Sequence, residues 1–177
     1  MTGRYPVVCH RELRPRWRWS AWRERRHPLI AGRGEVLVYV VEGAFTTEPA
    51  DPARCTAVTL VDVRPEHVSA CWELTASGRD WDFPVTVTFR CTVVDPAAVA
   101  RSRLTGGSPW DVQHVLAQDP RPSRLMRVHP VGDEGGLRLA LTALLQARPA
   151  HQDIAGVRVN RVEVSVGPAR ARVDDEA

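Results

Sequence analysis

Lysine is absent from this sequence, and all 24 basic residues are arginine. Coding bias in a GC-rich genome explains this better than selection for bidentate anion binding, so the absence alone indicates no ligand. The distribution of charge is more informative. Residues 1–34 hold nine arginines and two glutamates, a net charge of +7, whereas residues 35–177 hold fifteen arginines and nineteen acidic residues, a net charge of −4. We therefore expect a basic N-terminal arm on a mildly acidic body.

Long apolar runs are also lacking. No window approaches eighteen uninterrupted apolar residues, and the first twenty residues contain no apolar run of signal-peptide type. The 177 residues, 44% hydrophobic and 25% charged, are typical of one globular domain with a real core. We expect a soluble, cytoplasmic protein, with attachment to the membrane surface through the arm as the alternative.

Metal and redox motifs are missing as well. The four cysteines form no C-x-x-C pair and have no zinc-type spacing, and we expect no metal and no cofactor. Cys71 and Cys91 fall on opposite faces of their predicted strands, so no disulfide is expected between them.

Local catalytic motifs are weak. Asp80 and Asp82 flank a tryptophan, but their position beside Gly78 favours turn chemistry. His114 follows Asp111 by three residues, and an exposed helical histidine is the simpler interpretation. Residues 106–109, Gly-Gly-Ser-Pro, lack the lysine and glycine spacing of a nucleotide-binding loop. We expect no enzyme and assign no catalytic residue; a site assembled from distant residues stays open. The other histidines considered, none near a sequence-local nucleophile, are His67, His129 and His151.

The clearest pattern is the alternation from Val85 to Val93. Odd positions are Val, Val, Phe, Cys and Val, and even positions are Thr, Thr, Arg and Thr, which predicts a strand with one buried face. Asp95 and Pro96 end it and suit the N-cap and first position of a helix. Residues 68–75 alternate likewise, and the turn at 77–80 predicts an antiparallel hairpin with the 85–93 strand.

Other segments complete the predicted order. The apolar run 36–41 indicates a strand buried on both sides, ended by Glu42-Gly43, and 57–63 alternates weakly. Residues 46–54 are predicted to be a loop. Helices are predicted at 97–104, from 108 and at 135–148, the last with its apolar side on Leu137, Leu141, Leu144 and Leu145. The final strand, 156–166, changes its apolar phase between Val159 and Val162, which suggests a bulge or a change of buried face.

The arm is rich in tryptophan and arginine, and neither helical nor strand periodicity fits it. Its tryptophans could cover the domain's own core with the arginines solvated. Three functional alternatives are a protein interface, an anionic lipid surface and single-stranded nucleic acid, in that order of preference. The candidate contact residues are Arg16, Trp17, Arg18, Trp19, Trp22, Arg23, Arg25 and Arg26.

Two segments together resemble the SPFH or band 7 domain of stomatins, prohibitins and flotillins. They are the 85–96 strand ending in Asp95-Pro96 and the Gly-Val-Arg-Val-Asn-Arg-Val-Glu-Val strand at 156–164. Val61-Asp62-Val63-Arg64 resembles the strand that precedes that family's hairpin. The resemblance covers about residues 35–167 and implies an α+β assembly module. The family's usual membrane segment and long C-terminal helical region have no counterpart pattern here, so membrane scaffolding is not expected.

Taken together, the sequence predicts an α+β fold, an antiparallel-rich β-sheet with helices packed on one face. The predicted organisation is a basic arm at 1–34, an SPFH-like domain at 35–167 and an acidic tail at 168–177. The expected function is a non-catalytic scaffold, assembly or protein-interaction module that binds a protein partner or itself. The alternatives are a peripheral membrane protein anchored through the arm and, after it, an enzyme with an unrecognised site.

Overall fold

The computed structural model describes residues 5–13, 26–51, 53–78, 80–105, 112–147 and 154–172. The predicted α+β class is confirmed. The strands are β1 (Val7–Glu12), β2 (Glu35–Val41), β3 (Ala44–Thr46), β4 (Cys55–Asp62), β5 (Glu66–Thr75), β6 (Trp81–Val93), β7 (Val157–Val166) and β8 (Arg170–Ala171). The helices are α1 (Pro96–Thr105), α2 (Val112–Ala117) and α3 (Glu134–Ala147), with a 3₁₀ helix at Pro122–Leu125.

The chain divides into two compact units. Unit 1 takes residues 1–66, 92–112 and 153–158, and unit 2 takes residues 67–91, 113–152 and 159–177. The strands lie in two four-stranded sheets, one in the order β1-β4-β2-β3 and one in the order β5-β6-β7 with β8 also paired to β6. The sequence patterns identify most of the strands, but they do not show that the strands divide between two sheets.

In unit 1, β4 is a central strand with both faces covered. It pairs antiparallel with β1 on one side and β2 on the other. Helix α1 contacts β2, β3 and β4. A cluster of buried side chains joins Leu13 to Cys55 and Val58, with Tyr39 and Val41 of β2 packed against it. The buried residues of β4 are Cys55, Ala57, Val58, Thr59, Leu60 and Val61.

Two strands of unit 1 lie where the sequence indicates none. β1 lies within the range 1–34 and pairs with β4, from Val7 opposite Val61 to Glu12 opposite Ala57. Its six residues, Val-Val-Cys-His-Arg-Glu, do not alternate between apolar and polar, so no strand period is visible. Backbone pairing with β4 places this segment in the sheet. β3 is shorter still and begins directly after the two-residue turn that follows β2. That turn has positive φ at Glu42 and Gly43, 53° and 84°, as a tight hairpin requires.

The start of α1 and the segment before β7 meet inside unit 1. Asp95 accepts a hydrogen bond from the Ala98 N–H at 2.9 Å, so the predicted N-cap is confirmed. The Gly156 carbonyl accepts from the N–H groups of Val94 at 2.8 Å and Asp95 at 3.2 Å. Gly156 has φ of +75°, and a Cβ there would lie 2.3 Å from the Asp95 carbonyl oxygen. The two motifs that carry the family resemblance therefore contact each other.

The sheet in unit 2 contains the predicted hairpin. Ser69 Oγ and Thr88 Oγ1 lie 3.0 Å apart across the strands, and the Ala76 N–H donates to the Trp81 carbonyl at 2.8 Å, so β5 and β6 run antiparallel. Cys71 is exposed and Cys91 is buried, on opposite faces as predicted. All four cysteines are described and none forms a disulfide. Buried residues of the apolar face are Val68, Ala70, Leu74, Phe83, Val85, Val87, Phe89 and Cys91.

The remaining elements of unit 2 also follow their patterns. Helix α3 buries Leu137, Leu141 and Leu145, three of the four predicted leucines, and contacts the 3₁₀ helix. In β7 the predicted change of phase is confirmed, because Asn160 and Arg161 are exposed in succession. After β7 the Gly167 N–H donates to the Pro84 carbonyl at 2.9 Å. β8 then continues the pairing with β6 inside the range predicted as a tail.

Candidate functional site

The polar face of the unit 2 sheet opens into a groove of about 540 Å³, at the end where β5, β6 and β8 lie side by side. We call it the β5–β8 groove. Strand β5 contributes Glu73 and Thr75, and β6 contributes Asp82 and Pro84. The volume falls within the range of ordinary ligand sites. The rest of the wall is formed by Met126, Arg170, Ala171 and Arg172.

A forked ion pair forms the inner part of the groove. Arg172 donates from Nε to Asp82 Oδ2 and from Nη2 to Asp82 Oδ1, each at 3.0 Å. Its Nη2 also donates to Thr75 Oγ1 at 2.8 Å. The Arg172 side chain is 44% exposed and that of Asp82 only 15%. Because Nε and Nη2 of Arg172 each bond a carboxylate oxygen of Asp82, the guanidinium group is held in one orientation. Its positive charge compensates the negative charge of Asp82.

Two further charges of the groove lie on either side of this pair. Arg170 is directly opposite Asp82 in the β6–β8 register. The hairpin contacts that join Ser69 to Thr88 and Ala76 to Trp81 place Glu73 opposite Pro84. Both Arg170 and Glu73 are exposed. Neither makes an ion pair or side-chain hydrogen bond within the described part of the chain, so each charge is available to a ligand of opposite sign.

Met126 forms an apolar wall, with its position fixed by the chain that follows it. The Arg127 N–H donates to the Thr75 carbonyl at 2.6 Å, and the Ser77 N–H donates to the His129 carbonyl at 2.8 Å. Arg127 adopts a positive φ of 62° at this bend. These bonds attach residues 127–129 to the edge of β5 and leave Met126 38% exposed beside the groove.

A second contact secures the same segment to α3. His129 Nδ1 lies 2.8 Å from Asp133 Oδ2, and Asp133 Oδ1 accepts the Gly136 N–H at 3.1 Å. The hydrogen bond with His129 lowers the pKa of the Asp133 carboxyl, and the Gly136 N–H acts in the same direction. Asp133 therefore caps the helix and anchors the wall of the groove at once.

The chemistry of the groove is that of binding charged groups. It presents one available cation, one available anion, a neutralised ion pair and the apolar surfaces of Pro84 and Met126. Among the residues that the structure describes, no three His, Cys, Asp or Glu side chains are placed to hold a metal ion together. A ligand that carries both charges along an extended backbone matches this arrangement.

The structure describes only one of the contact residues predicted for the arm. Arg26 is described and exposed. The others, Arg16, Trp17, Arg18, Trp19, Trp22, Arg23 and Arg25, lie outside the described residues, so the role of the arm stays a prediction. Over the described ranges, no helix is long and apolar enough to cross a membrane.

The weak catalytic candidates are dispersed. Asp82 is the carboxylate of the ion pair with Arg172, which the sequence did not predict. His114 contacts Gln118, with Nε2 atoms 2.8 Å apart, on an exposed side of α2. Asp111 and residues 106–109 lie outside the described residues.

The groove itself was not predicted from the sequence. Its walls come from β5, β6, β8 and the segment after the 3₁₀ helix, which are far apart along the chain. The one local signal is the spacing of Arg170 and Arg172, which places two guanidinium groups on one face of an extended strand. No protein-family model matches this chain, and no curated protein matches it either. The SPFH resemblance therefore stays a prediction.

Proposed function

We propose that this protein is a non-catalytic protein-interaction module of the scaffold or assembly class, which binds an extended segment of a partner polypeptide in the β5–β8 groove. The observation that carries this proposal is the pair of available opposite charges, Glu73 and Arg170, on an exposed sheet face. The SPFH resemblance supports the assembly class.

The spacing of these charges suits a polypeptide. Glu73 and Arg170 belong to strands separated by β6, and their rows are offset by two residues along the sheet. With strands about 4.8 Å apart and a rise of about 3.3 Å per residue, their Cα atoms lie roughly 12 Å apart. An extended segment covers that distance in three or four residues. A basic side chain of the partner would meet Glu73, and an acidic one would meet Arg170.

The walls between the two charges also favour a polypeptide. Pro84 has no N–H and presents its ring to the groove, and Met126 presents a flexible thioether side chain that adapts to different apolar partners. The fixed pair of Arg172 and Asp82 limits reorganisation on binding, because their side chains are already ordered.

The test is selection of a random dodecapeptide library on the wild-type protein, followed by affinity measurements on two variants. We expect enriched peptides to carry a basic and an acidic residue three or four positions apart. Their affinity should fall on the order of tenfold for Arg170→Glu, since one attraction becomes a repulsion. The matched control is Arg138→Glu, an equal charge change on an exposed position of α3. Equal losses in both variants, or enrichment with no charge pattern, would contradict the proposal.

A further inference from the structure

The outer edge of β7 differs from the other sheet edges of the described chain. In unit 1, β1 has six residues and β3 has three. In unit 2, the end of β5 is bonded by residues 127–129 through Thr75 and Ser77. β7 is ten residues long and has β6 on one side, and no described strand lies on its other side. β5 is equally long, but residues 127–129 bond its end, whereas no described strand is bonded along the outer side of β7.

The backbone of β7 presents hydrogen-bonding groups along this edge. Because the Gly167 N–H donates to the Pro84 carbonyl of β6, alternate residues before it also point toward β6. The residues between them, Val162 and Val164, then point their N–H and C=O groups away from the sheet. Exposure alternates without interruption from Arg161 to Val166, which shows that the strand is regular there.

The side chains on this edge are complementary to themselves. Arg161 Nη2 lies 3.1 Å from Glu163 Oε1, and the two side chains are 72% and 59% exposed. When two such strands run antiparallel with Val162 opposite Val162, Arg161 of each faces Glu163 of the other. The next register with outward residues paired would instead place Glu163 opposite Glu163, which is unfavourable. The charges thus select one register.

We infer that β7 pairs edge to edge with β7 of a second copy of this chain, antiparallel and centred on Val162. The two Val162 residues exchange two backbone hydrogen bonds, and two Arg161–Glu163 pairs form between the copies on the exposed face. Strand addition of this kind satisfies the outward backbone groups of both copies at once. This interface is separate from the β5–β8 groove and does not depend on the proposed function.

The test exploits the symmetry of the pairing. Each of the variants Arg161→Glu and Glu163→Arg places like charges opposite each other twice in a dimer, so its dimer dissociation constant should rise on the order of tenfold or more. An equimolar mixture of the two variants restores both attractions in a heterodimer. Light scattering and sedimentation at several concentrations should therefore show weak association for each variant alone and wild-type association for the mixture.

Two further variants test whether the dimer depends on the outer edge of β7. Val162→Pro removes the outward N–H that the inferred pairing exchanges, without removing a bond to β6, and it should weaken the dimer while the fold is retained by circular dichroism. Arg170→Glu, in the groove, should leave the dimer unchanged. A wild-type protein that stays monomeric at millimolar concentration overturns the inference. So does a mixture that associates no better than its components, or a dimer that Arg170→Glu abolishes.

Discussion

Strands β4 and β6 are both long and rich in apolar residues, yet they are used differently. In β4 of unit 1, consecutive residues from Ala57 to Val61 are all buried. In the part of β6 that lies in unit 2, buried residues alternate with exposed or half-buried ones from Phe83 to Cys91. The first strand lies inside its sheet with both faces covered, and the second has one covered face and one open face.

Strand β4 therefore contributes only to the core, whereas β6 contributes to the core with one face and to the solvent-exposed surface with the other. Side chains on both faces of β4 are used to build the core of unit 1. In unit 2, the open face of β5 and β6 keeps polar side chains in contact with solvent, and the β5–β8 groove lies at its end. A sheet with one solvated face buries less apolar surface than a sheet covered on both faces. Its solvated face is accessible to a partner.

The largest expected effect tests the one-sidedness of β6. Phe89→Ala removes a fully buried ring, 1% exposed, and should lower the free energy of unfolding by about 3–5 kcal/mol. Its neighbour Thr88→Ala loses one hydrogen bond with Ser69 on the open face and should cost about 1 kcal/mol. Urea denaturation of both variants measures the contrast, and equal costs would show that β6 is not one-sided.

In unit 1, substitutions at two neighbouring positions should both lower the free energy of unfolding. Leu60 and Val61 are 7% and 0% exposed and point to opposite faces of β4. Leu60→Ala and Val61→Ala should each cost about 2 kcal/mol or more in urea denaturation, because each leaves a cavity in a covered face. A cost below about 0.5 kcal/mol for either would mean that one face of β4 is effectively open, as in β6.

A smaller effect tests the contact between the two resemblance motifs in unit 1. Gly156→Ala combines a positive φ with a Cβ 2.3 Å from the Asp95 carbonyl, and it should cost about 2 kcal/mol or more. Gly43→Ala is the matched control, since Gly43 also has a positive φ, +84°, but open space around it. Its cost should be about 1 kcal/mol, the strain of the backbone alone. Thermal denaturation that ranks Gly43→Ala as the costlier change would contradict the close contact.

The smallest expected effect is a change in acid sensitivity in unit 2. The pKa of Asp133 is held below its ordinary value of 3.8 by the hydrogen bond with His129. The carboxylate therefore contributes stability above about pH 4, and that contribution is lost as the pH falls through the lowered pKa. Asp133→Asn should flatten the fall in stability below pH 4. Denaturant midpoints from pH 2 to pH 6 that run parallel for both proteins would refute this role.

Unit 1 provides the comparison for that titration. Asp62 has its pKa lowered chiefly by the hydrogen bond from Arg64, so its stabilisation has the same sign and is lost in the same direction of pH. Asp62→Asn should flatten the same acid region without affecting the wall of the β5–β8 groove. Peptide affinity at neutral pH is therefore expected to change with Asp133→Asn more than with Asp62→Asn.

The fold was predictable in elements with one buried and one solvent-exposed side, because the order of apolar and polar residues then shows the period of the element. The alternation of β6 predicts the strand correctly because its open face requires polar residues, and the leucines of α3 follow the helical period. β4 showed only weak alternation because both of its faces are buried, so its central position could not be inferred. β1 and β3 depend on pairing with neighbours rather than on a period of their own.

The candidate site was much less predictable. The neighbouring Gly78 indicates only a turn role for Asp82, and no local pattern reveals the ion pair because Arg172 lies 90 positions later in the chain. Met126 has no motif, and its position depends on two backbone hydrogen bonds to the end of β5. Sequence patterns report local periodicity, whereas the β5–β8 groove is produced by tertiary pairing.

The most direct test of the binding claim is calorimetry with a peptide selected on the wild-type protein and a second peptide with its acidic and basic residues exchanged. The double variant Glu73→Arg/Arg170→Glu reverses the two available charges of the open face. If that face carries binding, the double variant should lose the first peptide and bind the second about as tightly as the wild type binds the first. Unchanged affinity of the double variant for the first peptide would contradict binding at the β5–β8 groove.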